Sequence, residues 1–243
     1  MTGTVLTTRV FEFPNTRRPL AQTHISALES EDQLPAVPAM PETLLAMELQ
    51  LQHRSVDLHE ISQAVLADMG ATIQILRLAG REYGHTEDRP TRIEECICDL
   101  GLTACLDAVA RGSLARGARQ RSIQELWAHS REIAVHARQV AEQMPCSIHP
   151  EQAYLAGLLH SIGLVPVILE WTPGNASNHR AFSSLRLAER WALPSFIRDY
   201  FCEMCMPGYA PEWSNLMAEA HRRAHYSLSA CPLDACSSYP SAS

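Results

Sequence analysis

The chain has 243 residues, 46% hydrophobic and 19% charged, which suits one sizeable globular domain or two small ones and excludes a disordered polymer. Its formal net charge is −7, and all 20 basic residues are arginine, since the sequence contains no lysine. That balance argues against a general electrostatic grip on nucleic acid or on anionic lipid, either of which needs a basic face.

Residues 1–33 read as a polar, irregular lead-in, and LPAVPAMPETLLAM (34–47) opens regular structure with three prolines. The spacing of Leu44, Leu45, Met47, Leu49 and Leu51 predicts a helix from Pro41 to about His53. Asp57 and Glu60 form a capping pair ahead of Ile61, Val65, Leu66 and Met69, and a third helix through Ile73, Leu76 and Leu78 stops near Gly84. Thr91 and Glu94 repeat the capping pattern before Ile93, Ile97 and Leu100; Gly101 ends that helix, and another covers 103–118. The basic run RGSLARGARQR (111–121), with Arg111, Arg116, Arg119 and Arg121, reads as a solvated helix end and loop or as a local phosphate contact.

Ser122 and Glu125 predict a capped start for a long amphipathic helix, with Leu126, Ile133 and Val140 on its buried stripe. His149-Pro150-Glu151 begins the next helix, proline being tolerated in a first turn, and Pro166 should kink or end it. Helices in HRAFSSLRLAERWA, PSFIRDYFCEMC and PEWSNLMAEAHRRAHYSL follow, then a small-residue tail read as disordered. No strand-like alternation and no repeat is evident, so the fold class is all-α. No apolar stretch suffices to span a bilayer, because 153–169 is interrupted by His160, Ser161 and Pro166, and the start lacks the pattern of a secretory signal. A cytoplasmic location with no membrane contact is expected, and the eight cysteines should be reduced there. Cys202 and Cys205 make a C-x-x-C that Cys231 and Cys236 could complete as a loose zinc set; Cys96, Cys98, Cys105 and Cys146 read as small core residues.

The candidate ligands are His129 and His136 on the long helix, His160 on the next, His179, and His221 with His225 near the end. A histidine among leucines must satisfy its ring nitrogens by hydrogen bonds or by a metal, and both answers fit. A dinuclear phosphoesterase centre needs carboxylates beside the imidazoles to offset the cations' charge, and none lies near His160 in YLAGLLHSIGLVPVIL.

Six segments in order resemble an HDOD domain, the output-domain relative of the HD metal-dependent phosphohydrolases. They are LPAVPAMPETLLAMEL, ISQAVLADMGATIQILRLAG, RIEECICDLGL, ELWAHSREIAVHARQVAEQ, AYLAGLLHSIGL and LAERWALP, and the likeness extends over about residues 34–225. It implies a helical N-terminal bundle (34–119) packed on an HD-like helical core (120–228), with a tail at 229–243, acting in bacterial signal transduction. In that resemblance His129 matches the first metal-binding histidine of HD enzymes and His160 the histidine of their His-Asp pair. Ser161 stands where the aspartate would be, Leu164 where HD-x-G-K has lysine, and His221 at the late aspartate.

These departures imply a degenerate site. The expectation is a non-catalytic output module that binds signalling proteins, with no cofactor or catalytic residue and no nucleic-acid partner. Ser161 is expected to donate to a backbone carbonyl, and Trp127, Trp171, Trp191 and Trp213 are candidate contact or core anchors. The alternatives are a divergent phosphohydrolase acting on nucleotides or cyclic dinucleotides, with Arg131 or Arg222 as phosphate contacts, and a small-molecule sensor using the gap between the lobes. A single zinc or other divalent ion on His129, His160 and His221, with or without His179, also fits these residue types. A homo-oligomer and a hetero-complex present the same kind of surface in one sequence, so both stay open.

Overall fold

A computed structural model describes residues 36–53, 55–84, 86, 89–112, 118–170 and 180–227. Among them every regular element is helical, in the order α1 (Pro41–Gln52), α2 (Leu58–Leu66), α3 (Met69–Tyr83), α4 (Ile93–Leu100), α5 (Leu102–Ala110), α6 (Ala118–Gln143), α7 (Pro150–Leu159), α8 (Val165–Ile168), α9 (Arg180–Arg190), α10 (Ser195–Cys205) and α11 (Pro211–Ser227). A 3-10 turn, Ile162–Leu164, joins α7 to α8. The all-α class is as the sequence implies. None of these helices is long and apolar enough to cross a membrane. The lead-in over 1–33 and the tail over 229–243 lie outside the described residues.

Local chemistry sets most boundaries. Pro41 occupies a first-turn position of α1, where its missing N–H costs nothing. Asp57 caps α2 by accepting from the Glu60 N–H at 3.0 Å. The return bond of a capping box is absent: Gln50 takes both roles, donating to Glu60 at 2.7 Å and accepting from the Asp57 N–H at 3.2 Å. Met69 belongs to α3, because α2 ends at Leu66 and Asp68 caps the next helix through the N–H groups of Gly70 and Ala71. Thr91 does not cap α4; Arg92 stands at that position and makes no side-chain capping bond. The helix expected over 103–118 ends at Ala110. Ser122 lies inside α6, which starts five residues earlier than its capping pattern suggests. Pro166 does not end α7 either. That helix stops at Leu159, and the proline sits in the first turn of α8, where it is tolerated.

Helices α1 to α5 pack on one another, and α6 to α11 form a second group in which α6 lies along α7 and α11. One continuous buried core runs through both, from Val37, Met47 and Ile73 to Leu126, Leu158, Trp191 and Met217. Burial of that apolar surface is the main stabilising term, at about 25 cal/mol per Å². Polar side chains fix how the groups meet. The Trp127 indole on α6 donates to Asp68 at 2.8 Å, and the Tyr154 hydroxyl on α7 donates to the Leu66 carbonyl at 3.0 Å. Arg92 pairs with Glu151, and the Arg77 guanidinium lies 5.7 Å from the Trp191 ring centroid. Gly70 makes the closest backbone approach: a Cβ there would lie 1.9 Å from the Pro38 carbonyl oxygen.

Candidate functional site

The amphipathic stripe of α6 points Leu126, His129 and Ile133 toward the core at helical spacing. The apolar run of α7 carries His160 to that helix's C-cap, and α11 brings in His221 one turn after Met217. Three segments distant in sequence thus converge. Ring centroids are 5.3 Å apart for His129 and His160, 5.0 Å for His160 and His221, and 6.4 Å for His129 and His221. One ring nitrogen from each lies within 4.8 Å of the other two.

Backbone carbonyls orient two of the rings. His160 Nδ1 is 2.7 Å from the Gly157 oxygen, and His221 Nδ1 is 2.8 Å from the Met217 oxygen. A carbonyl only accepts, so each Nδ1 carries the proton and each Nε2 of the neutral ring carries the lone pair. His160 is half-buried, and its Nε2 is sealed from solvent and has no hydrogen-bond partner. Burial, reinforced by the other histidines, holds the His160 pKa well below the ordinary value. Burial likewise lowers His129, and brings His221 down to about 4 against the pull of its Met217 hydrogen bond. The cluster is therefore electrically neutral at neutral pH.

Ser161 is buried, and its hydroxyl lies 2.8 Å from that of Ser130 on α6. Its partner is thus a second serine, not the backbone carbonyl expected from sequence. Leu164 is half-buried in the 3-10 turn, packed against the core. Arg131 is exposed on α6; Arg222 is exposed on α11 and donates from Nε and Nη2 to Glu219 at 2.8 and 2.6 Å. His136 stands apart from the cluster beside Glu132 at 3.2 Å, and His225 is exposed one turn beyond His221. Trp127, Trp191 and Trp213 are core residues. Cys202 and Cys205 are half-buried free thiols, both pushed up by burial. His179, Trp171, Arg116, Cys231 and Cys236 lie outside the described residues.

Sequence reasoning did not find Ser130 or the two orienting carbonyls. A signal for Ser130 existed, because His-Ser occurs twice, at 129–130 and 160–161, and the two pairs face each other. The carbonyls carry no sequence signal, since any residue at 157 or 217 would supply one.

An all-helical protein with histidines from three helices gathered at one point is the class these observations define. The sequence model of the HDOD domain family matches residues 37–180, more than half of the chain. The chain belongs to the HDOD family, a family of signalling output domains. Two crystal structures of the MmoQ response regulator of Methylococcus capsulatus share the fold, both with TM-score 0.64. One is 21% identical and covers 82% of this chain and 89% of that one; the other is 19% identical and covers 82% and 90%. A virulence factor of Campylobacter jejuni is similar at TM-score 0.55 and 16% identity, over 75% of each chain. No curated protein sequence matches.

The HD metal-dependent phosphohydrolases that the sequence resembles use a dinuclear metal centre. Among the described side chains, the group able to share an ion is three imidazoles with no carboxylate. Two divalent ions a few ångströms apart need anionic ligands to bridge them and to offset their charge. A hydroxyl pair such as Ser130 and Ser161 supplies neither, so the described residues of this cluster do not fit a dinuclear centre.

Proposed function

We propose that the chain is a non-catalytic output module that works by binding signalling proteins. The observation that carries this reading is the carboxylate-free histidine cluster, with Ser161 tied to Ser130 where an HD enzyme would place its bridging aspartate. Without that charge the bridged two-ion arrangement with which HD enzymes drive water onto a phosphoester cannot be assembled. Arg222, the phosphate contact that the enzyme reading would draw from α11, is engaged by Glu219. A cytoplasmic location suits such a role.

The apolar side chains open to a partner include Leu45, Leu49 and Leu51 on α1, which are 55%, 47% and 40% exposed. Leu45 and Leu49 are four residues apart, so they sit on one face of the helix. A partner recovered from the native cell, purified and remixed, should bind wild type and lose at least tenfold in affinity for a Leu45→Glu/Leu49→Glu variant. It should bind His160→Ala as it binds wild type. Equal affinity for the double variant removes α1 from the interface, and a chain that forms no binary complex overturns the interaction reading.

A further inference from the structure

We propose that His129, His160 and His221 form a mononuclear site for one borderline transition-metal ion of the zinc class, with a fourth position left to water. This goes beyond the output-module reading and does not need it: the ion would hold α6, the α7 end and α11 together without any turnover.

Donor chemistry makes the first part of the case. Three neutral imidazoles match zinc, cobalt or nickel and mismatch magnesium, calcium or manganese, which prefer oxygen. A neutral ligand set offsets none of a dication's charge, which three-imidazole zinc sites tolerate for one ion but which mutual repulsion forbids for two side by side.

Orientation makes the second. Metal-bound histidines generally donate their other ring N–H to a carbonyl or carboxylate, which fixes the tautomer and aims the lone pair. His160 and His221 are held in that way by Gly157 and Met217 before any ion arrives. His160 Nε2, buried and unpartnered, is the kind of atom whose burial calls for an ion or an ordered water.

Distance makes the third. Tetrahedral ligation at ~2.0–2.1 Å places nitrogens ~3.4 Å apart. The three nitrogens already lie within 4.8 Å of one another, so ring movements of about an ångström close the site.

The test is equilibrium dialysis of the full chain, stripped with chelator and kept reduced, against zinc, cobalt or manganese, with thermal unfolding followed in parallel. One zinc per chain is expected, with no manganese retained and a melting temperature several degrees higher when loaded. Cobalt should give the intense visible bands of a tetrahedral nitrogen site without thiolate charge-transfer absorption. His160→Ala and His129→Ala should each lose at least tenfold in affinity, while Cys202→Ser/Cys205→Ser keeps the stoichiometry. Each variant's unfolding in the metal-free state shows that it is folded. Zinc that follows the cysteines, zinc unaffected by either histidine change, two ions per chain, or no zinc at all would overturn the proposal.

Discussion

Replacing Asp68 by alanine is expected to cost about 4 kcal/mol of stability, near the top of what single substitutions do. Its Oδ1 accepts from the N–H groups of Gly70 (2.9 Å) and Ala71 (3.2 Å) and from the Trp127 indole (2.8 Å), and its Oδ2 accepts from the Met40 N–H at 2.6 Å. One buried carboxylate thus caps α3, fixes the entry to α1 and joins α3 to α6. Alanine would leave those donors unpaired at once, and a buried unpaired donor costs about 1–3 kcal/mol. Asp68→Asn keeps an acceptor at Oδ1 and sets an amide against Met40, so about 1.5 kcal/mol is expected.

Asp68 also carries a pH signature. Burial outweighs the hydrogen bonds and raises its pKa above 3.8. A raised acid favours the fold most below the unfolded value, and that contribution is lost as pH rises through the folded value. Asp68→Asn should remove this slope. Denaturant titrations of the three proteins at several pH values measure both effects.

Gly157→Ala is expected to cost about 3 kcal/mol, because the added methyl would meet backbone that cannot turn aside. Its Cβ would lie 2.7 Å from Ala134 Cα and 3.0 Å from Ala134 N on α6. The helices must separate along their whole contact. Since the Gly157 carbonyl also orients His160, the same change should loosen the histidine cluster and weaken zinc binding along with stability. The unfolding midpoint and the zinc isotherm of one purified variant check both.

Helices were legible in the sequence to different degrees: α3 and α10 fall where their apolar spacing places them, while α1 and α7 are marked by the prolines that open them, and α7 stops at Leu159, short of Pro166. Boundaries that depend on a single side chain were less so. Asp57 caps because its carboxylate reaches the Glu60 N–H, whereas Ser122 cannot cap because α6 has already begun. Asp68 carried a readable signal, an acidic residue before Met-Gly-Ala, but its bond to Trp127 spans 59 positions and exists only once the helix groups meet. The histidines of the site were legible as residue types on separate helices. Their tautomers were not, since these depend on carbonyls that every residue possesses.

The most direct test of the non-catalytic account is hydrolysis under conditions that favour an enzyme. Metal-free protein is loaded in turn with manganese, ferrous iron and zinc, then mixed in excess over a cyclic dinucleotide or bis(p-nitrophenyl) phosphate, and product is followed through a single turnover. Product formation no faster than with the metal ion alone is the result predicted. Hydrolysis by wild type that disappears in both His129→Ala and His160→Ala would contradict it.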